Sequence, residues 1–143
     1  MRVALYSERA RAPVRAAHEI IAREGLEPTV SGVRVLRQIA FAAPPGSALN
    51  ALTTSDDFYS VSGCRDLVFH AHEQRFTLPQ IGLLLEQAGL ELIGLDAPPE
   101  AVAAFRQAYG DADRLDLTLW DRLEQAKPFL FAGMYPVWLR NLA

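Results

Sequence analysis

The amino-acid sequence predicts an α/β fold with few strands and one long helical insertion. Three short apolar runs have the length and residue types of strands. The segments between them repeat apolar residues at helical spacing and carry recognisable helix starts and ends. This order of strand, helices, strand, helices and strand is typical of α/β proteins. With 143 residues, half of them hydrophobic, the chain is long enough to bury a core, and we predict a single domain over residues 1–143.

The first predicted element is a strand within residues 1–8. Residues 3–6 form a continuous apolar run, which indicates a buried strand. Almost nothing precedes this run, so we expect the other strands of its sheet to come from elsewhere. If its neighbours are missing, the edge of this strand exposes apolar surface.

Residues 9–76 are predicted to form a helical insertion after the first strand. Proline suits the first turn of a helix, glycine suits the residue after the last turn, and serine caps a helix start. Three helices are marked in this way. Their starts and stops are Pro13 and Gly25, then Ser31 and the proline-rich residues 43–47, then Ser60 or Ser62.

Residues 77–143 are predicted to form a helix, a strand, further helices and a closing strand. The clearest signal is the capping-box spacing of Thr77 and Gln80 at the first helix start. A second strand follows over residues 90–95, and the closing strand covers residues 135–142. Pro136 weakens this last prediction, because proline cannot donate to a hydrogen-bonded ladder. Two helices are predicted between these strands. One begins at Pro98 and Pro99, and the other covers residues 115–126.

Composition excludes several classes of function. A formal net charge of −3 argues against a protein that binds nucleic acid, which needs a basic face. Cys64 is the only cysteine, so one chain cannot form a disulfide or a thiolate-rich zinc site, and we expect a reducing, cytoplasmic location. No apolar run reaches the length of a membrane span, so no membrane partner is expected. Four arginines near the start alternate with glutamates and are interpreted as a solvated helix face: Arg2, Arg9, Arg11 and Arg15.

One short motif contains residue types that could bind a metal ion, but its spacing does not favour a metal site. His70, His72 and Glu73 form an H-x-H-E pattern. On a helix the two histidines point about 200° apart, and in a strand they share a face but lack a defined third ligand. We therefore predict no metal site.

The middle of the chain resembles a bacterial family of class I S-adenosylmethionine-dependent methyltransferases, a family often fused to tetratricopeptide repeats. The resemblance is carried by residues 57–70, Glu73 and residues 75–81. Residues 5–8 are similar to the family's fifth core strand and the turn after it. The closing segment of the family is similar to residues 117–120, 131–135 and Trp138. The chain departs from the family pattern at His72, Gln74 and Pro136.

The resemblance implies the C-terminal part of a Rossmann-like methyltransferase fold. The insertion would then be the substrate side, placed between the fifth and sixth strands, and the seventh strand would return antiparallel between two others. The sequence contains no G-x-G motif, so we do not expect it to bind S-adenosylmethionine or to transfer methyl groups alone. The implied partner is a chain that carries the N-terminal cofactor-binding half, or a second copy in a homodimer. The alternative is a non-catalytic protein-interaction or small-ligand-binding module derived from that fold.

The resemblance also suggests which residues contact the methyl acceptor. His70 or Glu73 would act as general base, although His70 is as well explained by a hydrogen bond to a loop. Phe58 and Tyr59 would line the acceptor site, or else belong to the core. Two arginines complete the predicted substrate contacts. Arg65 faces an anionic acceptor or pairs with Asp66, and Arg75 binds substrate or pins its loop through Asp56, Asp57 or Glu73.

Overall fold

The structure is a computed structural model that describes residues 1–70 and 73–142. Within these residues it has six α-helices and one mixed sheet of four strands, which confirms the α/β class. The elements in chain order are β1 (Arg2–Ser7), α1 (Ala12–Glu24), α2 (Val30–Ala42), α3 (Val61–Val68), β2 (Arg75–Phe76), α4 (Leu78–Gln87), β3 (Leu90–Leu95), α5 (Pro99–Tyr109), α6 (Leu117–Ala126) and β4 (Met134–Asn141). Two short 3₁₀ turns, Asn50–Thr54 and Asp56–Tyr59, precede α3.

The chain divides into two compact units. One combines Met1–Arg11 with Gln74–Ala143 and contains the whole sheet, and the other is the helical segment Ala12–Glu73. The second unit corresponds closely to the insertion that the sequence predicts over residues 9–76. That both units belong to a single domain stays a prediction.

Most helix boundaries follow the signals in the sequence. The backbone N–H of Thr77 donates to Gln80 Oε1 at 2.8 Å, as the predicted capping box requires. Ser60 caps α3 by accepting from the N–H of Gly63 at 2.8 Å. The prediction for α2 is wrong by two residues, because Thr29 caps that helix through the N–H of Gly32 and Ser31 lies inside the first turn.

The sheet has the order β2-β1-β4-β3. Strand β4 lies between β1 and β3 and runs antiparallel to both, whereas β2 runs parallel to β1. Strand β2 was not predicted, and it pairs with β1 only through Tyr6 and Ser7. Over residues 2–5, β1 therefore has no neighbouring strand on that side among residues 1–70 and 73–142.

Pro136 fits into the middle of β4 because its missing donor faces the end of β3. Its carbonyl accepts from the N–H of Asp96 at 2.9 Å, immediately after β3. In an antiparallel strand the N–H and C=O of one residue point to the same side, so the absent N–H also faces this last position. A bulge at Ile93 shifts the register between β3 and β4. On the other side of β4, the pairing with β1 continues through Ala4.

The core of the first unit lies between the sheet and helices α4, α5 and α6. Alternate residues of β4, Tyr135, Val137 and Leu139, are buried on this face. Trp120 of α6 stacks on Phe105 of α5 with 4.3 Å between ring centroids. These contacts hold the two helices against the sheet, which fixes the carboxyl end of β1 beside α6.

The helical unit has a core of its own around α1, α2 and α3. Ala17, Leu36, Phe58 and Val68 are fully buried there. Cys64 is fully buried as well, and burial raises the pKa of its thiol, although Arg37 partly opposes this shift. A buried thiol of this kind is expected to be unreactive. Among the residues described in both units, no helix combines the length and apolar character that a membrane span needs.

The two tryptophans should contribute very differently to stability. Trp120 is 1% exposed, whereas Trp138 is 44% exposed. We expect Trp120→Ala to lower the free energy of unfolding by about 3–5 kcal/mol because it removes the centre of the aromatic stack. Trp138→Ala is the control and should cost about 1 kcal/mol. Urea unfolding followed by circular dichroism measures both, and equal losses would contradict this assignment of the core.

Candidate functional site

The carboxyl ends of β1 and β2 lie side by side in the first unit. In open α/β sheets the carboxyl ends of parallel strands face the crevice where ligands bind. Charged side chains follow directly at this edge. Arg75 of β2 places its Nε 3.4 Å from Glu8 Oε2, which joins the ends of the two strands by an ion pair.

A buried carboxylate stabilises the carboxyl end of β1. Glu124 of α6 has no exposed surface. The hydroxyls of Ser7 and Tyr135 each donate to it, Ser7 Oγ to Oε1 at 2.6 Å and Tyr135 Oη to Oε2 at 2.6 Å. Ser7 Oγ also accepts the backbone N–H of Ala10 at 3.0 Å. One carboxylate thus fixes the end of β1, the turn after it, and the start of β4.

Arg9 supplies the positive charge that this buried carboxylate needs. Its Nη1 lies 3.2 Å from Glu124 Oε2 and 2.6 Å from Asp121 Oδ1. Asp121 also accepts from Gln125 Nε2 at 2.7 Å. Burial disfavours the charge of Arg9, but the two carboxylates outweigh this effect and raise its pKa. The prediction that Arg9 belongs to a solvated helix face is therefore wrong.

Tyr135 is neutral in this network and remains so at high pH. Burial first, and then the hydrogen bond to Glu124, raise the pKa of Tyr135 above its ordinary value of 10.0. Ionising its hydroxyl would remove the donor to Glu124 and place two negative charges in contact. The hydroxyl is thus a structural donor and does not act as an acid or base near neutral pH.

We call Ser7, Arg9, Asp121, Glu124 and Tyr135 the Glu124 network. Its polar atoms bond to one another, and Ser7 is fully buried, so Ser7 holds the end of the strand in place. The sequence analysis identified no member of this network as a site residue. Its only local signal is a pair of acidic residues at positions 121 and 124, next to the buried positions 120 and 123 of an amphipathic helix.

The surface above the network combines an arginine with an unusual turn. The guanidinium of Arg11 lies 4.8 Å from the ring centroid of Tyr6. The turn before β4 places Ala132 at φ 49° and Gly133 at φ 104°. A left-handed alanine is uncommon, and such residues persist where surrounding contacts enforce them. Here the N–H of Ser7 donates to the carbonyl of Gly133 at 2.9 Å, which holds the turn against β1.

The predicted catalytic pair lies in the helical unit. His70 is exposed and borders a shallow cleft of about 250 Å³ together with His18, and Glu73 is half-buried. His72 lies outside the described residues. Within the part of the chain that is described, no three His, Cys, Asp or Glu side chains form a metal-binding group. The assignment of His70 or Glu73 as general base stays a prediction.

The two predicted aromatic contacts separate into a core residue and a surface residue. Phe58 is fully buried and packs against Phe41 with 5.5 Å between ring centroids. It is therefore part of the core and does not line an open surface. Tyr59 is 59% exposed, and its hydroxyl donates to the carbonyl of Thr53 at 2.7 Å. Tyr59 and Phe41, which the sequence analysis missed, form an exposed aromatic pair.

The two predicted arginine contacts also differ. Arg65 is exposed and lies 3.8 Å from Asp66 Oδ1, which is a long surface ion pair of little energetic weight. Arg75 borders a cleft of about 330 Å³ with Gln80 and Leu84. Its Nη1 is buried, and no described residue accepts a hydrogen bond from it. A role of Arg75 in binding an anionic acceptor stays a prediction.

Comparison with models of protein families gives no match to this chain. Comparison with curated proteins gives none either.

The Glu124 network should make the free energy of unfolding decrease as the pH rises into the alkaline range. A tyrosine whose pKa is raised on folding contributes stability below the unfolded value near 10, and this contribution is lost as the pH rises further. We expect Tyr135→Phe to cost about 1–3 kcal/mol at neutral pH, because Glu124 loses a donor. Between pH 10 and 11 the wild type should lose stability faster than the variant, by up to about 1.4 kcal/mol per pH unit.

Urea unfolding at several pH values tests this expectation. Tyr59→Phe is the matched control, because it removes the hydroxyl of an exposed tyrosine and should leave the slope unchanged. Parallel pH profiles of wild type and Tyr135→Phe would show that Tyr135 ionises as readily in the folded protein as in the unfolded chain.

Proposed function

We propose that residues 1–143 are the C-terminal, substrate-side region of a class I S-adenosylmethionine-dependent methyltransferase, and that the cofactor-binding half comes from polypeptide outside these residues. One observation carries the proposal. Strand β4 lies between β1 and β3 and is antiparallel to both. This is the arrangement that the sequence resemblance implies for the seventh, fifth and sixth strands. The helix α4 before β3 and the helical unit after β1 occupy the expected places in the chain.

The open edge of β1 also supports the proposal. Strand β1 is linked to β4 by the N–H of Ser7 and by the backbone nitrogen and oxygen atoms of Met1 and Leu139. The backbone N–H and C=O groups of the odd-numbered residues of β1 therefore point toward β4. The backbone groups of Arg2 and Ala4 consequently face the other side, where no described residue forms a strand against them. A self-contained binding module would be expected to cover such an edge. The open edge therefore favours the enzyme half over the non-catalytic alternative.

We expect that the residues present do not form a cofactor site by themselves. A glycine-rich turn after a first strand lets the backbone approach an adenosyl ligand, and the sequence has no G-x-G motif. When bound, S-adenosylmethionine would supply the methyl group. The residues of this chain would orient the acceptor, since methyl transfer requires an in-line approach to the sulfonium. The carboxyl edge of β1, fixed by the Glu124 network, is the place where this chain meets the crevice.

The isolated chain should not bind the methyl donor. We expect no heat of binding in isothermal titration calorimetry with S-adenosylmethionine at concentrations up to the millimolar range. The absence of the glycine-rich strand-helix unit is the physical reason. Dissociation constants in the micromolar range would show that these residues hold a complete site and would contradict the proposal.

The open edge should mediate assembly with the cofactor-binding half. Affinity purification of the tagged chain from its source cells should recover a polypeptide with a glycine-rich βαβ unit, and the complex should bind S-adenosylmethionine. Ala4→Pro should reduce recovery at least tenfold, because it removes an N–H from the open edge and none from the β4 side. Ala4→Thr is the control, because it changes the side chain at the same exposed position but keeps the backbone N–H.

Two results would overturn this assembly. One is recovery of no polypeptide with a glycine-rich βαβ unit. The other is equal recovery with Ala4→Pro and Ala4→Thr, once circular dichroism shows that both variants are folded.

A further inference from the structure

The cleft beside Arg75 is formed by strand β2 and the exposed side of helix α4, both in the first unit. Its volume is about 330 Å³, which is the size of a small-molecule site. Leu83 and Leu84, which are 60% and 41% exposed, supply most of its apolar wall. The other residues that line it are Arg75, Phe76, Gln80 and Gln87. The cleft thus combines an apolar wall with a few polar groups, as small-molecule sites usually do.

The guanidinium of Arg75 lacks acceptors for its N–H groups. The side chain is only 22% exposed, and its Nη1 is buried without an acceptor among residues 1–70 and 73–142. Its Nε lies 3.4 Å from Glu8 Oε2, which is longer than a usual N–H···O hydrogen bond. A largely desolvated guanidinium with unpaired donors destabilises the folded protein. An acceptor that enters the cleft from outside would remove this cost.

The polar side chains at the cleft mainly donate hydrogen bonds, so they suit a ligand that accepts them. Arginine carries N–H donors and no acceptor. The Oε1 atom of Gln80 already accepts from the backbone N–H of Thr77 at 2.8 Å, which leaves the amide N–H donors of Gln80 for other acceptors. The planar fork of a guanidinium binds a carboxylate through a pair of parallel hydrogen bonds. These donors therefore favour an anion over a cation or an uncharged apolar compound.

Glu8 limits the negative charge that the cleft can accept. The backbone N–H of Glu8 donates to the carbonyl of Phe76 at 2.9 Å, which fixes Glu8 beside β2. Its carboxylate already offsets much of the charge of Arg75. A ligand with a single negative charge competes with Glu8 for the guanidinium. A phosphate monoester, whose charge is nearly twice as large, is repelled by Glu8 more strongly. The charge balance therefore favours a monocarboxylate.

We propose that this cleft binds a small monocarboxylate with a short apolar chain. The carboxylate of the ligand accepts hydrogen bonds from Arg75 and Gln80, and its chain packs against Leu83 and Leu84. Binding weakens the ion pair between Arg75 and Glu8, because both carboxylates compete for one guanidinium. The inference goes beyond the proposed function, since all these residues lie in the first unit and the site requires neither a methyl donor nor a second polypeptide.

Titration of the chain with hexanoate, followed by NMR chemical shifts of its backbone amides, tests the site. We expect saturable binding with the largest shifts at β2 and α4. Arg75→Gln should weaken binding about tenfold or more, because the charge and the fork of donors are lost. Arg75→Lys keeps the charge but loses the fork, and should weaken it about threefold or more. Arg65→Gln is the matched control, since Arg65 is exposed and pairs only loosely with Asp66 at 3.8 Å, and it should bind as the wild type does.

A variant of Glu8 separates ligand binding from a purely structural ion pair. Glu8→Gln should tighten hexanoate binding about threefold or more, because it removes the competing carboxylate. Glu100→Gln is the matched control, since it removes an exposed negative charge of α5 and should leave the affinity unchanged. If Glu8 and Arg75 only held the strand ends together, neither variant would tighten binding.

Ligands that share the apolar chain identify the chemical class. Hexylamine and hexan-1-ol should bind about tenfold or more weakly than hexanoate, because neither offers a carboxylate to Arg75. Hexyl phosphate should also bind more weakly than hexanoate in the wild type, and Glu8→Gln should narrow that difference. Leu83→Ser should weaken the binding of hexanoate and leave that of acetate unchanged, because acetate has no chain to pack against the helix.

Three results would overturn the inference. The first is the absence of saturable hexanoate binding to the wild type. The second is equal affinity of the wild type and Arg75→Lys, which retains the charge and therefore tests the site even if Arg75→Gln is unfolded. The third is tighter binding of hexyl phosphate than of hexanoate. Each of these results leaves the proposed function standing, because that proposal is tested by S-adenosylmethionine and by the edge of β1.

Discussion

The carboxylate of Glu124 is the group on which the geometry of the first unit depends. It lies beyond the reach of solvent, and a charge in that position is tolerated only when it is neutralised and fully hydrogen-bonded. Both conditions are met by Ser7 of β1, Tyr135 of β4 and Arg9 of the turn that follows β1. Because losing any one partner leaves a buried charge unsatisfied, the network favours the arrangement of β1, α6 and β4 that brings all its members together.

The sequence predicts the regular parts of this fold well because their causes are local. The capping box at Thr77 and the apolar runs of β1 and β3 involve residues that are close in sequence. Strand β2 escaped prediction because two residues carry no periodicity. The cap of α2 moved to Thr29 because several hydroxyl-bearing residues near a helix start compete to cap it, and only the backbone conformation decides between them.

The candidate site was less predictable than the fold. Ser7 and Glu124 are 117 residues apart, and no pattern in the sequence links them. Phe58 and Tyr59 were predicted together, as acceptor contacts or as core residues, but only Phe58 is buried, and burial depends on the packing of α2 and α3. Pro136 is a case in which the sequence argued against the observed structure. Its missing N–H weakened the prediction of a central strand, but that side of Pro136 faces the end of β3.

The open edge of β1 has a consequence for the life of this chain in a cell. Unpaired strand edges are templates for any extended polypeptide, and the apolar sheet surface beside this one adds to the hazard. Molecules in which this edge stays uncovered would be held by chaperones or degraded. The abundance of the protein in a cell should therefore depend on how completely this edge is covered.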